Sequence, residues 1–167
     1  MTPTDVINLG LDMAGKDSIT NIDDTDTTAN RARRSYHPLR DAVLRDHFWN
    51  FAITRKVLEQ NAVAPVSGFV YGYKREADDL VTDETAVTAK CIYRITNPDL
   101  WDPLFLSMFS TLLASRYALI FSHDAKFSMA LLEQYLLLKN DAQAVDGQEG
   151  SILTYSSTAL TTDVRND

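Results

Sequence analysis

A chain of 167 residues, 45% of them hydrophobic and 23% charged, fits one domain and can bury a real core. Its formal charge of −7 argues against a nucleic-acid-binding surface, because such surfaces neutralise phosphates with clustered Lys and Arg. The single cysteine, Cys91, excludes an internal disulfide framework, fits a reducing compartment and reads as a small half-buried hydrophobe in a strand.

In chain order, Thr4 or Asp5 can cap a first helix whose apolar content is Val6, Ile7, Leu9, Leu11 and Met13, and Gly15 ends it. Asp5 and the lack of a basic stretch before an apolar run read against a signal peptide. Residues 16–28 form a polar loop in which Ile19 and Ile22 can tuck inward. Thr27 or Thr28 is the expected cap of a second helix from about Ala29 to Asp46, with Pro38 predicting a kink or break near His37. Towards its end Ala42, Val43, Leu44, Phe48 and Phe51 can share one face, with Arg40, Asp41, Arg45 and Asp46 largely opposite. Trp49 and Phe51 then form an aromatic corner of the core.

From Ile53 to Gln60 the pattern fits either a last helical turn or a strand. Pro65, Ser67 and Gly68 mark a turn, residues 69–73 read as an aromatic strand, and the charged stretch 74–84 as a loop. Val87 to Ile95, rich in β-branched and aromatic residues, is a second strand. Asn97-Pro98-Asp99 is a turn, and Asp99 or Asp102 caps a third helix over about 102–122, with Pro103 in its first turn. That helix is apolar on most sides and supplies Leu112 and Tyr117 to the core. Leu104 to Phe121 approaches membrane-span length, but Ser107, Ser110, Thr111, Ser115 and Arg116 favour a core helix, and no membrane partner is expected. His123 and Asp124 break the run, the latter suiting a cap. A fourth helix runs from about Asp124 to Val145, closed by Gly147 and Gly150. Residues 151–167, Ser/Thr-rich and without helical periodicity, read as an extended tail that is disordered alone or ordered only by a neighbour. The expected fold is mainly α: a four-helix bundle-like domain over 1–150, a small β element at about 69–96, and an extended C-terminal arm at 151–167.

Signatures of catalysis are sparse. His37, His47 and His123 show no HExxH spacing and no Cys/His cluster accompanies them, so no zinc site is expected. Asp23-Asp24-Thr25-Asp26 has oxygen ligands but lacks the glycine and the twelfth-position glutamate of an EF-hand loop. Neither a nucleophile elbow nor a phosphate loop occurs. Paired carboxylates stay open, since sequence does not give their separation. The expectation is therefore a non-enzyme with no cofactor and no metal. Arg31, Arg33, Arg34, Arg40, Arg45 and Arg55 concentrate positive charge in one segment. They suit a nucleic-acid patch, or, with Asp41 and Asp46 interleaved, ion pairs within the helix or across a subunit interface; the second is preferred.

The stretch RDAVLRDHFWNFAITRKVL, within NRARRSYHPLRDAVLRDHFWNFAITRKVL, resembles the second helix and aromatic corner of the tail tubular protein A family, the head-to-tail adaptors of short-tailed bacteriophages. Three further segments resemble that family in the same order: DVINLGLDMAGKDSITNIDD, GFVYGYKREADD and YRITNPDLWDPLFLSMFSTLLASRYALIFS. One departure is clear. The family carries a longer β-rich insertion after the aromatic strand, where only Leu80 to Ala86 lies here, which bears on any contact made through that region.

The resemblance implies a structural virion protein assembled in the host cytoplasm. It would form a homo-oligomeric ring, expected to hold twelve copies, that joins the portal protein to the tail nozzle protein. Genomic DNA would pass through the channel without sequence-specific binding, which an acidic or neutral wall permits. Arg31, Arg34, Arg40, Asp41, Arg45 and Asp46 are then expected at partner interfaces, together with Ile152, Leu153, Tyr155, Leu160 and Val164 of the arm. The alternative is a small helical nucleic-acid-binding or host-modifying phage protein that uses the arginine-rich second helix.

Overall fold

The computed structural model describes residues 1–58, 74–76, 79–81 and 87–150. Among the described residues the fold is mainly helical, with four helices. Contacts divide the chain into a helical unit, Met1–Ala52 with the residues from Ile92 onward, and a smaller unit, Ile53–Cys91.

In the helical unit, α1 (Pro3–Met13) starts earlier than the sequence suggested, because Thr2, not Thr4 or Asp5, is the cap. Thr2 Oγ1 accepts from the Asp5 amide at 3.2 Å and the Asp5 carboxylate accepts from the Thr2 amide at 2.7 Å. This reciprocal box satisfies two donors that the helix leaves open, with Pro3 preset for the first turn. Gly15, at φ 67°, closes the helix as expected. In the following loop the Asn8 side chain donates to the Ile19 carbonyl and accepts from its amide, at 3.0 and 2.9 Å. That clamp buries Ile19, and Ile22 is half-buried beside it.

Helix α2 (Thr27–Asp46) is capped by Asp26, whose carboxylate accepts from the Ala29 amide at 2.9 Å. Thr27 and Thr28 already lie inside it. Of the kink or break expected near His37, the break is absent, since the helix runs through Pro38. Proline forfeits one helical hydrogen bond, but the buried residues Tyr36, Arg40 and Val43 on either side hold both halves to the core. Beyond His47 a 3₁₀ turn, Asn50–Ala52, carries the aromatic corner.

Helix α3 (Pro103–Ser122) is central, capped by Asp102 through the amides of Leu104 and Phe105. By length and composition it could cross a membrane, yet 61% of the apolar stretch is buried inside the unit. Phe105, Met108, Phe109, Leu113 and Tyr117 are fully enclosed. Its buried hydroxyls bond back to the preceding turn: Ser110 to the Leu106 carbonyl at 2.8 Å, Thr111 to Ser107 at 2.9 Å and Ser115 to Leu112 at 2.9 Å. His123 ends α3 in the left-handed conformation at φ 52°. Asp124 then caps α4 (Ala125–Gly150), accepting from the Phe127 amide at 2.9 Å. α4 continues past Val145 and through Gly147, where the sequence suggested it would close; a tertiary clamp on Asp146, described below, holds that last stretch.

α1, α2 and α4 all pack on α3. Gly10 permits the α1 approach: a Cβ there would sit 2.9 Å from Leu113 Cβ and 3.2 Å from Tyr117 Cε2. Gly10→Ala is therefore expected to destabilise the fold by about 1–2 kcal/mol, because overpacking outweighs the helix-propensity gain. Gly147, with open space around its α-carbon, is the control. Gly147→Ala is expected to stabilise by about 0.5–1 kcal/mol, so urea unfolding of the pair should move in opposite directions.

The smaller unit is β. β1 (Ile53–Leu58) resolves the ambiguity at 53–60 as a strand and pairs with β4 (Val87–Ile92). Tyr93 to Ile95, expected to continue that second strand, leave it. β2 (Lys74–Glu76) and β3 (Asp79–Val81) form an antiparallel pair, Arg75 opposite Leu80, within the stretch expected to be a loop. Backbone pairing requires no apolar alternation, so a charged run does not reveal it. The turn expected at Pro65 to Gly68, the aromatic strand at 69–73 and the arm at 151–167 lie outside the described residues.

Candidate functional site

Among the described residues, two places that gather polar side chains bear on the residues expected at an interface: the exit of α2 with its aromatic corner, and the outward face of α2 itself. At the corner, Trp49 is 1% exposed and donates its indole N–H to the Val43 carbonyl at 3.0 Å. Its ring meets His47 and Phe105 edge-on at 4.8 and 5.1 Å. Phe105 also stands edge-on to Phe51 and Trp101, at 5.0 and 5.2 Å. Around this plug Asp146 of α4 is clamped: His47 Nε2 lies 3.0 Å from one carboxylate oxygen and the Asn50 amide donates to the other at 2.8 Å. Asn50 Nδ2 donates to the Asp146 carbonyl at 2.6 Å.

An open pocket of about 200 Å³ lies here, lined by Asn50, Phe51, Trp101 and Val145 with the carboxylates Asp99, Asp102, Asp146 and Glu149. Three of those carboxylates already have structural duties. Asp146 holds the clamp, Asp102 caps α3, and Asp99 pairs with the Met1 ammonium. Among the described residues no group of three or more His, Cys, Asp or Glu is placed to hold a metal ion. What the arrangement does physically is fasten the end of α4 to the end of α2.

The α2 residues expected at an interface separate into two sets. Arg40 is 5% exposed, so it does not lie opposite the apolar face as the sequence suggested. It turns inward, with its Nε and one terminal nitrogen donating to Asp41 Oδ1 at 3.0 and 2.8 Å and its guanidinium 5.8 Å from the centre of the Tyr36 ring. Asp41 also pairs with Arg94 at 2.8 Å. Asp46 pairs with Lys139 of α4, and its carboxylate raises the Lys139 ammonium above its ordinary range. These are contacts within one chain. Ala42 and Phe48, expected on the buried face, are exposed, and Phe51 sits in the 3₁₀ turn, half-buried. Helical phase explains it: Tyr36, Arg40, Val43 and Leu44 share the inward arc, and the chain leaves the helix at His47 before Phe48 is reached.

Arg31, Arg34 and Arg45 form the other set, exposed on the outward arc with Pro38 and Ala42. His37 flanks that arc, and its imidazole is held below the usual range by partial burial and by the nearby Arg40 charge. Tyr36 Oη is buried without a hydrogen-bond partner, and burial pushes its pKa up to about 12. Trp49, Leu112 and Tyr117 are buried, as a core role requires. Ile152, Leu153, Tyr155, Leu160 and Val164 lie outside the described residues.

The clamp on Asp146 was not visible in sequence, because its partners stand 96 and 99 positions away. A usable signal did exist for Arg40: it falls four residues after Tyr36 and three before Val43, on the buried arc.

No protein-family model matches the chain, and no curated protein sequence matches it.

Proposed function

We propose that this chain is a head-to-tail adaptor of a short-tailed bacteriophage, a structural virion protein and not an enzyme. Copies join into a ring, expected to be twelve-fold, that seats on the portal protein, receives the tail nozzle protein and extends the DNA channel. The observation that carries the proposal is the ordered similarity of four segments to the tail tubular protein A family. The first, second and fourth of those segments cover most of α1, most of α2 and all of α3, which pack together within the helical unit. The net charge of −7 is compatible with a channel wall that DNA slides past without adhering.

The mechanism is assembly. The helical unit supplies a rigid body, and the segment 151–167 is proposed as an arm that orders on a neighbouring copy or on the portal, through Ile152, Leu153, Tyr155, Leu160 and Val164. A species carrying one copy of this chain per portal subunit is expected by light scattering when the chain is mixed with the portal ring of the same phage. No association at any ratio contradicts the proposal. One observation favours the alternative, a nucleic-acid-binding phage protein: the exposed guanidinium groups of Arg31, Arg34 and Arg45 on one helix face. Affinity of the isolated chain for duplex DNA that falls steeply with salt would select that alternative.

A further inference from the structure

We propose that the outward face of α4 is a contact surface for a second copy of this chain, whose α2 outward face is the occupant. The inference deepens the adaptor reading, naming which faces meet between neighbouring copies of the ring, and rests on it in that sense.

α4 packs inward through Leu131, Tyr135 and Ala142, which are 7%, 8% and 3% exposed. On the opposite arc Met129, Leu132, Leu136 and Leu137 are 63%, 42%, 50% and 67% exposed. The positions 129, 132 and 136 recur at helical spacing, so these side chains form a stripe along the outside of the helix. Single exposed apolar residues are ordinary, whereas a continuous stripe edged by polar groups marks an interaction surface. Glu133 lies within this arc and Asp141 at its edge, both exposed, and Lys126 at the start of the helix is the one exposed cation on α4. Two copies joined α4 to α4 would bring Glu133 and Asp141 carboxylates together with no central cation between them.

The complementary surface is on α2. Its outward arc carries Arg31, Arg34 and Arg45 around the small apolar surface of Pro38 and Ala42. Among the described residues, these three arginines make no ion pair, since Asp41 is taken by Arg40 and Arg94, and Asp46 by Lys139. At about 1.5 Å per residue, residues 31–45 of α2 and 129–141 of α4 each cover roughly 20 Å, so the stripes match in length. Basic side chains of one copy then meet acidic side chains of the next along an apolar seam. Such a contact joins two different faces, and a contact of that kind repeats from copy to copy, closing a ring where the rotation between copies permits and running on as a filament where it does not.

The test is light scattering of the full chain over a concentration series, with circular dichroism confirming the fold of each variant. Concentration-dependent association is expected for the parent chain. Leu136→Asp is expected to weaken it about tenfold or more, as is the pair Arg31→Glu with Arg34→Glu. Adding Glu133→Arg and Asp141→Arg to the α2 reversals is expected to restore association to within about threefold of the parent. Association unaffected by Leu136→Asp, or charge reversals that do not rescue one another, overturns the proposal. So does a chain that is monomeric at every concentration; if that monomer still binds the portal ring, the adaptor reading stands and this interface falls. A parent monomer that associates only after removal of residues 151–167 would give the α4 stripe to the chain's own tail and also overturn the proposal. Association with the expected variant effects but no portal binding would keep the interface and remove the adaptor reading.

Discussion

Trp49→Ala is expected to lower the stability of the helical unit by about 3–5 kcal/mol, the usual range for truncating a large buried aromatic residue. Two effects add. The cavity would open where Trp49 meets Phe105 and His47 edge-on, and Phe105 cannot move to close it without leaving Phe51 and Trp101. The Val43 carbonyl would also lose the indole donor that now satisfies it at 3.0 Å. Because Asp146 is clamped by His47 and Asn50 on either side of Trp49, the last turns of α4 should loosen with the core. Urea unfolding gives the magnitude, and hydrogen exchange at residues 143–149 should show the loosening. Stability within 1 kcal/mol of the parent would mean the corner is not part of the core.

The second large effect concerns Arg40 and Asp41, and its sign is an ordering. Asp41→Ala leaves the buried Arg40 guanidinium without its two charge-assisted hydrogen bonds, and a loss of about 2–3 kcal/mol is expected. This lies below the range for fully buried pairs, because Asp41 is one-third exposed and water can reach the vacated position. Arg40→Met keeps an unbranched apolar side chain at the buried position, gives up the guanidinium contact with the Tyr36 ring and leaves Asp41 still paired with Arg94. A loss of under about 1.5 kcal/mol is expected. Thermal or urea unfolding of the two variants checks the order. If Arg40→Met proved the costlier, the guanidinium would be contributing net stability beyond its pairing.

Local signals in the sequence located the helices well. Gly15 after an apolar run, Asp102 before Pro103, and the His123-Asp124 break each act through the backbone of their own neighbourhood, so sequence displays them directly. The inward placement of Ile19 and Ile22 was legible from their being apolar residues in a polar loop. Errors arose where a distant residue decides the outcome. Pro38 did not break α2 because residues on both sides of it are buried against the core. Gly147 did not end α4 because Asp146 is pinned by residues nearly a hundred positions earlier. The β2–β3 pair formed inside a charged run through backbone hydrogen bonds, which hydropathy does not encode.

For the candidate surfaces, the sequence located the charges but not their roles. Six α2 side chains look alike as a string of Arg and Asp. Folding turns Arg40 inward, uses Asp41 and Asp46 within the chain, and leaves Arg31, Arg34 and Arg45 outward. The α4 stripe is not legible in sequence because α4 is rich in leucine on every side, so only packing separates the inner arc from the outer one.

The central claim is a place in the virion, and quantitative mass spectrometry of purified particles of the encoding phage tests it most directly. The adaptor account predicts this chain in mature particles at one copy per portal subunit. Its absence from particles that carry portal and nozzle would contradict the account.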